Sequence, residues 1–481
     1  MRAHEAGWAH AAVSVRGPAW LREPDDVNAL VPQLWSGTAR KRGDGVLEVG
    51  GVALTDLVDQ HGSPAYVLDE ADFRARARAF RDAFAAPPDV HWEVFYAGKA
   101  FLCTSVARWV AEEGLCLDVC SGGELTVAER AGFPMHRVGF HGNNKSMREL
   151  ERAVELGVGR VIVDSFHELE RLSVVTRELG RTVRVMIRVT AGVEAHTHEY
   201  IATAHEDQKF GLSISSGDAL EAVRQAHADP GLELLGLHSH IGSQIFDSSG
   251  FEVAARRVLA LHRQVRDELG VEMPEMDLGG GFGIAYTTQD DPAEPGLLAN
   301  ELTRIVSDEC AAHGVVVPRL SVEPGRAIVG PAMCTVYEVG TVKAVELDGP
   351  PGARPVRTYV SVDGGMSDNI RTALYDAEYS CTLAGRRSDA PALLSRVVGK
   401  HCEAGDIVVM DEFLPGDLVP GDLLAVPGTG AYCWSMASNY NHLLRPPVVA
   451  VRDGDARVIV RRETEDDLLA TDVGSAPDAA G

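Results

Sequence analysis

The residue with the clearest chemical potential is Lys99, in the sequence VFYAGKA. An apolar run that favours a β-strand ends just before this lysine, and a helical pattern begins at Ala100. Catalytic side chains collect at such positions, because the ends of parallel strands converge on one pocket. The neighbouring Phe95 and Phe101 would desolvate the ammonium and lower its pKa, as Schiff-base chemistry requires. From this stretch alone, a solvated surface lysine is the simpler interpretation.

Two further predicted strand ends carry residues suited to an oxyanion. Residues 279–283, GGGFG, follow one strand, and residues 323–326, EPGR, follow the next. Glycines let backbone N–H groups approach a phosphate, while Arg326 supplies positive charge and Pro324 restrains the turn. The structural alternatives are an ordinary tight turn and a salt bridge between Glu323 and Arg326. Neighbouring strand ends of this kind often form the phosphate site of a barrel.

A third strand end carries two histidines, in the motif HSHIGSQ of residues 238–244. Their spacing, with no carboxylate pair nearby, makes a poor metal site. One interpretation is a packed histidine beside a solvent-facing one. The other places one imidazole against a planar cofactor ring, with Ser243 donating to the cofactor's phosphate. Arg188 ends the strand-like run VMIRV and would point into the same pocket.

Together, a strand-end lysine, a phosphate-binding turn and a strand-end glutamate suggest pyridoxal phosphate. Lys99 would carry the cofactor covalently. Glu323, beside the pyridine nitrogen, would keep that nitrogen protonated, so that the ring can accept the electrons of a breaking bond.

These side chains require elements that bring several strand ends to one place. Eight short apolar strands alternate with helical patterns, beginning with residues 94–96. The other seven are residues 115–119, 138–140, 160–163, 183–189, 232–238, 275–278 and 319–322. Such alternation indicates parallel pairing, and eight units over about 250 residues indicate a (β/α)8 barrel of the α/β class. An open, doubly wound sheet has the same local pattern and remains the alternative.

Beyond residue 330 strand-like runs separated by Pro and Gly predominate. They are residues 336–345, 357–362, 397–399, 406–410, 422–426 and 448–460, and they predict a separate antiparallel β domain. The earlier runs 46–53 and 64–69 could join it. We therefore predict an N-terminal extension with strands of the β domain (1–74), the barrel (75–333) and the C-terminal β domain (334–481). Residues 1–46 are expected to wrap the surface, and residues 474–481 to be disordered.

Composition excludes some classes of partner. The 481 residues carry a formal net charge of −25, which argues against nucleic acid or an anionic membrane surface as the main partner. No run approaches 18 apolar residues, and eight cysteines in a chain of this length are not a disulfide framework. The cytoplasm is the default location.

Long blocks of the sequence resemble diaminopimelate decarboxylases of the actinobacterial type. The blocks are YAGKAF, LDVCSGGEL, HGNNKS, EAHTHEYIATAHEDQKFGLS, GLHSHIGSQIFD, DLGGGFGI, VEPGRAIVGP, VDGGMSDNIRTALYDAEY, KHCEAGD and TGAYCWSMASNYN. The resemblance runs from about residue 46 to about residue 469. It implies an alanine-racemase-like, pyridoxal-phosphate-binding barrel with a β domain. It also implies removal of CO2 from the D-centre of meso-2,6-diaminopimelate to give L-lysine, by a homodimer with shared active sites.

The resemblance further implies roles for individual residues. Lys99 would carry the cofactor, with His240 stacked on its ring. The other cofactor-binding residues would be Asp118, Arg188, Ser243, Gly281, Glu323, Pro324, Gly325, Arg326 and Tyr432. Arg326, Arg371 and Tyr375 would hold the distal carboxylate of the substrate. Two arginines suit a dicarboxylate, whereas a diamine-forming decarboxylase would have no use for them.

Two residues would enter the site from the partner subunit of the dimer. Cys402 would protonate the Cα carbanion, and Glu403 would hold the distal ammonium, while Tyr432 would bridge the phosphate and the substrate. Without the resemblance, Cys402 would be interpreted as a buried hydrophobe and Tyr432 as a core aromatic. A disulfide between Cys120 and Cys402 across the dimer would depend on the redox conditions.

Two alternative functions remain at this point. One is a decarboxylase of another basic amino acid on the same fold, and the other is a homologue that binds pyridoxal phosphate without catalysis. The sequence departs from the family pattern at Thr372, where the family often has Pro, and at Ala404, where it often has Ser. Neither difference removes a charge or a catalytic atom.

Overall fold

The computed structural model describes residues 17–88, 90–192, 209–347 and 356–474. The chain forms two compact units, of which one comprises Arg74–Ile284 and Asp291–Ile328, and the other Met1–Phe73, Ala285–Asp290 and Val329–Gly481. The predicted boundaries at residues 74 and 333 stay a prediction. The start of the predicted surface extension, most of the EAHTHEYIATAHEDQKFGLS block and nearly all of the predicted disordered tail lie outside the described residues.

The first unit is a closed barrel of eight parallel strands. They are Trp92–Ala97, Cys116–Val119, Val138–Phe140, Arg160–Val163, Val183–Thr190, Leu232–His238, Glu275–Asp277 and Arg319–Val322. Each pairs in parallel with the next, and the last returns to the first through the pair Val322 and Val94. The short strand Leu212–Ser213 extends the sheet beside Val189 and Thr190. The predicted barrel is confirmed, and the open sheet is excluded.

Helices connect these strands and cover the outside of the sheet, as the alternating pattern predicts. They are Glu70–Ala85, Thr104–Glu112, Gly122–Ala131, Met147–Leu156, Phe166–Leu179, Asp218–Ala228, Ser249–Leu269, Pro295–His313 and Arg326–Val329. Local sequence determines several of their ends. Ser121, Ser146 and Ser165 each accept a hydrogen bond from the backbone N–H three residues further on. The same three helices end at glycines in the left-handed conformation.

The second unit is built on a nine-stranded sheet, so the predicted sheet domain is confirmed. Along the sheet the order is Ile407–Pro415, Ala392–Val398, Val356–Val362, Met333–Glu346, Ala65–Asp69, Val448–Arg452 and Asp455–Val460. Leu423–Pro427 pairs with Met333–Glu346 and with Thr382–Leu383. Most pairs are antiparallel, as predicted, but two are parallel: Val356–Val362 with Ala392–Val398, and Ala65–Asp69 with Val448–Arg452.

The two early strand-like runs behave differently. Residues 64–69 supply the sheet strand Ala65–Asp69, as expected. Residues 46–53 do not join that sheet, because Gly50 and Gly51 have positive φ values of 58° and 81° and reverse the chain. They instead supply two strands, Leu47–Val49 and Val52–Ala53, of a separate three-stranded sheet whose third strand is Arg40–Lys41.

The remaining elements are short. The α-helices are Leu54–His61, Arg371–Tyr375 and Glu465–Leu469, and the 3-10 turns are Pro32–Leu34, Gly98–Ala100, Met135–Arg137, Trp434–Met436 and Tyr440–His442. No helix within the described ranges combines the length and apolarity that a membrane crossing demands.

Candidate active site

The carboxyl ends of the barrel strands surround a cavity of about 300 Å³. Its lining includes Lys99, Asp118, Cys120, His141, Arg188, Phe210, His238, His240 and Glu323. Lys99 lies in the turn Gly98–Ala100, directly after the first strand, and its side chain is exposed while both neighbours are buried. Four of the cofactor-binding residues predicted from the sequence therefore line one cavity with Lys99: Asp118, Arg188, His240 and Glu323.

Glu323 forms the buried, acidic side of this cavity. Its Oε1 lies 3.0 Å from His238 Nε2 in a hydrogen bond, and 3.3 Å from His141 Nε2. Burial lowers the pKa of both histidines to about 3, so the two imidazoles are neutral near pH 7. Burial, together with the charge of Asp118, raises the pKa of Glu323, while Lys99 acts in the opposite direction.

Asp118 is the second buried carboxylate. Burial and the charge of Asp277 hold its pKa well above the usual range. Neither of its oxygens has a hydrogen-bond partner among the described residues, and His141 Nε2 is likewise unpartnered although Asp118 Oδ1 lies 3.2 Å away. Buried polar groups are normally satisfied, so these atoms indicate the place of a polar ligand such as the cofactor ring.

A glycine-rich cradle adjoins the buried carboxylates. The φ values of Gly279, Gly281 and Gly242 are 74°, 105° and 145°, a range that favours glycine. A Cβ at Gly281 would lie 2.5 Å from the carbonyl oxygen of Gly242, so no side chain fits there. Ile245 donates its N–H to the Gly281 carbonyl at 2.9 Å, which holds the two loops together. Backbone packed this closely, without side chains, suits a phosphate.

The predicted phosphate-binding residues are adjacent in the structure. Arg326 Nη2 donates to Ser243 Oγ at 2.8 Å. The Gly280 N–H donates to His240 Nδ1 at 3.1 Å, which fixes the orientation of that ring. Pro324 and Gly325 are buried, and a Cβ at Gly325 would lie 2.9 Å from Ala97. The donors and the bare backbone therefore fit a phosphate beside an aromatic ring.

Arg188 also lines the cavity. Its guanidinium carbon is 4.4 Å from the centroid of the Phe210 ring, and its Nε is 3.8 Å from Asp164 Oδ2. Burial lowers the pKa of this guanidinium, with Asp164 opposing the effect. The geometry holds Arg188 in one orientation at the edge of the cavity.

Apart from Arg326, the predicted substrate-binding residues belong to the other unit. Arg371 and Tyr375 lie on the short helix Arg371–Tyr375, where Arg371 is buried and Tyr375 is half-buried. Tyr432 is half-buried and has a φ of 67°, an unusual conformation for a tyrosine.

Cys402 and Glu403 lie in a loop of the same unit. Cys402 is exposed, so its interpretation as a buried hydrophobe is wrong, and Glu403 is half-buried. The Asp406 carboxylate closes this loop by accepting from the His401 backbone at 2.8 Å and from the Met366 N–H at 2.6 Å. The loop that carries Cys402 is therefore tied to the segment that leads to Arg371.

Sequence reasoning missed three neighbours of these groups. His141 is the first residue after a barrel strand and opens the HGNNKS block, a position that was available as a signal. Tyr286 and Tyr379 both contact Arg371. Tyr379 ends the VDGGMSDNIRTALYDAEY block, whereas nothing in the local sequence of Tyr286 distinguishes it from a core aromatic.

The family of the chain follows from its similarity to known proteins. Residues 70–330 match the family of pyridoxal-dependent decarboxylases, in its pyridoxal-binding domain, which defines the class of the barrel. The diaminopimelate decarboxylase of Mycobacterium tuberculosis is 55% identical over 448 residues, covering 92% of this chain and 98% of that protein. The Bacillus subtilis enzyme of the same name is 44% identical over 437 residues, covering 91% and 97%. The chain belongs to the diaminopimelate decarboxylase family.

Solved structures give the same result. The diaminopimelate decarboxylase of M. jannaschii superposes with a TM-score of 0.83 at 30% identity, covering 91% of this chain and 98% of that one. A lysine/ornithine decarboxylase of Vibrio vulnificus, at 22% identity and a TM-score of 0.67, shares the fold alone. The chain is accordingly a pyridoxal-phosphate-dependent carboxy-lyase.

Proposed function

We propose that this chain removes one carboxylate of meso-2,6-diaminopimelate, at the D-centre, as CO2 and leaves L-lysine, the last step of lysine biosynthesis. The observation that carries the proposal is the barrel cavity lined by Lys99 and a buried Glu323, with the glycine cradle packed against the backbone of Glu323. Relatives that bear the name diaminopimelate decarboxylase support the choice of substrate.

Different residues of the cavity would hold different parts of the cofactor. Pyridoxal phosphate, when bound, supplies an electron sink for the carbon–carbon bond that breaks. Lys99 would hold it covalently, and His240 would lie against its ring. Glu323 would hold a proton on the pyridine nitrogen. The hydrogen bond from neutral His238 to Oε1 keeps the glutamate oriented for this task.

The phosphate and the rim of the ring are assigned to the neighbouring groups. Ser243, Gly281 and the turn Glu323–Pro324–Gly325–Arg326 would surround the phosphate, and Tyr432 would add a further hydrogen bond to it. Asp118 and Arg188 would complete the polar wall around the ring. The unpartnered oxygens of Asp118 and the hydrogen bond between Arg326 and Ser243 support this arrangement.

The substrate is held by its distal end. Arg326, Arg371 and Tyr375 bind the distal carboxylate, because guanidinium groups pair with carboxylates in a fixed geometry. Glu403 binds the distal ammonium, and Cys402 delivers a proton to Cα after CO2 has left. Tyr432 also contacts the substrate.

We further propose that the enzyme is a homodimer, in which Cys402 and Glu403 of one chain complete the site of the other. The exposure of Cys402 supports this assignment, since a proton donor to another chain must reach the surface.

Cys120 is also exposed, so a disulfide between Cys120 and Cys402 would form only under oxidising conditions. The cytoplasm is the proposed compartment, because the cysteines are free and a reducing environment suits free thiols.

The substrate assignment is tested by measuring CO2 release from meso-diaminopimelate, L-lysine, L-ornithine and L-arginine with the purified holoenzyme. We expect release from meso-diaminopimelate, with L-lysine as the product, and none from the other three. Faster release from L-lysine or L-ornithine would favour the alternative, a decarboxylase of another basic amino acid. Bound pyridoxal phosphate without CO2 release from any of the four would contradict a catalytic function.

A further inference from the structure

Arg371 is a buried cation without an acidic partner. Its exposed fraction is 5%, and no ion pair among the described residues includes it. A buried charge is costly unless it is paired. The missing counter-charge therefore has to come from a ligand, and on the proposed function that ligand is the distal carboxylate of the substrate.

Two phenols occupy one end of the guanidinium. Arg371 Nη1 donates to Tyr286 Oη and to Tyr379 Oη, each at 2.7 Å. A guanidinium Nη carries two hydrogens, so these bonds use both. Nε and Nη2 have no hydrogen-bond partner in the described part of the chain, and they are the pair of donors that a carboxylate accepts side by side.

The two rings also fix the plane of the guanidinium. Its carbon lies 4.8 Å from the centroid of the Tyr286 ring and 5.7 Å from that of Tyr379. The rings themselves meet edge to face, with centroids 5.1 Å apart and an interplanar angle of 72°. Contacts on two sides leave the side chain of Arg371 little rotational freedom.

Each tyrosine is held in turn by its surroundings. Tyr379 Oη lies 3.5 Å from Cys433 Sγ, which lies 3.5 Å from Asn369 Oδ1. The segment Ala285–Asp290 belongs to the same compact unit, and Asp290 accepts the Tyr286 N–H at 2.9 Å. A Cβ at Gly428 would come within 3.2 Å of the Tyr286 ring, so the glycine leaves room for it.

We propose that Tyr286 and Tyr379 are positioning residues that set the specificity for a distal carboxylate. They hold Nη1 of Arg371 so that Nε and Nη2 remain directed at the ligand. This inference rests on the proposed function, because the ligand is taken to be the distal end of diaminopimelate. Neither tyrosine takes part in breaking or forming a covalent bond.

The test uses the holoenzyme with two single variants, Tyr286→Phe and Tyr379→Phe. Each removes one hydrogen bond to a charged group and keeps the ring, so we expect KM for meso-diaminopimelate to rise about tenfold. The kcat should change by less than about twofold, because the reacting centre is at the other end of the substrate. Inhibition by L-lysine, which retains the same carboxylate, should weaken in parallel with KM.

A matched control separates positioning from general damage to the sheet. Tyr359 is hydrogen-bonded to the buried Arg396 in the same unit, so Tyr359→Phe removes the same kind of bond elsewhere. We expect its KM to equal that of the wild type. An unchanged KM in both tyrosine variants, or an equal change in the control, would overturn the inference while wild-type activity stands. A wild type inactive on meso-diaminopimelate would overturn the proposed function as well.

Discussion

Glu323 illustrates how single residues in the site are adjusted by their neighbours. Its carboxyl group is buried beside a second carboxyl, Asp118, yet its proposed role, to hold a proton on a pyridine nitrogen, requires a negative charge. Burial and the charge of Asp118 raise the pKa of Glu323, whereas His141 and Lys99 act in the opposite direction. Small changes in this electrostatic balance should therefore have large effects.

Replacing Glu323 by Gln tests this balance. The variant keeps the size of the side chain but cannot hold a proton on the pyridine nitrogen, so kcat should fall at least about a hundredfold. Cofactor content, measured by absorbance after release in alkali, should remain close to that of the wild type. A kcat within about threefold of the wild-type value would contradict the role proposed for Glu323.

His141 should leave a signature in the pH dependence of stability. Its pKa is about 3 in the native protein, against about 6.5 in an unfolded chain. In this interval the unfolded state binds a proton that the native state does not, so the free energy of unfolding decreases as the pH falls below about 6.5. Glutamine cannot take up that proton.

Scanning calorimetry of His141→Gln should therefore show a Tm that falls less steeply than the wild-type Tm between about pH 7 and about pH 5. The exposed His167 offers a control, and His167→Gln should follow the wild-type curve. Parallel curves of Tm against pH for His141→Gln and the wild type would contradict this prediction, because they would show that His141 makes no contribution to the pH dependence of stability.

At the scale of elements, the barrel was predictable because each of its strands is a short apolar run between helical patterns. The strand-end positions of Lys99 and Glu323 follow from the same pattern. The separate small sheet was missed because the reversal at Gly50 and Gly51 depends on backbone dihedral angles. The predicted run 448–460 is a hairpin for the same reason, with Asp453 and Gly454 at positive φ.

Contacts between distant segments were not predictable. Tyr286 lies 85 residues from Arg371 along the chain, and Tyr379 lies 8 residues from it. The two tyrosines meet at this arginine only because the fold brings their segments together. Parallel pairing in the sheet unit likewise depends on which strands become neighbours in space, and no local pattern determines this.

The loop that carries Cys402 depends on one carboxylate. Asp406 accepts three hydrogen bonds, from the His401 backbone, from His401 Nδ1 at 2.8 Å and from the Met366 N–H. Asp406→Asn replaces one acceptor oxygen by a donor, so at least one bond is lost, at a cost of about 1–3 kcal/mol. We expect a lower Tm and a reduced kcat, with unchanged cofactor content. The variant Asp455→Asn, at an exposed position, serves as the control. Equal kcat values in the two variants would show that the hydrogen bonds of Asp406 do not affect catalysis.

At the scale of the whole molecule, the proposed active site is completed by residues from two chains. Lys99→Ala should inactivate the site of its own barrel, whereas Cys402→Ala should inactivate the site of the other chain. Each homodimer should be inactive alone. After the two variants are unfolded together and refolded, or co-expressed, about half of the dimers should be mixed, with one intact site each.

The mixed sample should therefore recover about a quarter of the wild-type activity, measured as CO2 release per chain. Recovery at this level needs Lys99 and Cys402 to act from different chains. If the mixture stayed as inactive as its components, both residues would act within one chain, and the shared site would be contradicted.

The central claim is that Lys99 carries pyridoxal phosphate covalently at the mouth of the barrel. The most direct measurement is reduction of the holoenzyme with borohydride, followed by digestion and mass mapping of the peptides. We predict the pyridoxyl phosphate mass on the peptide containing Lys99, and no labelled peptide from Lys99→Ala treated in the same way. A label on any other lysine of the wild-type protein, with Lys99 unmodified, would contradict the account.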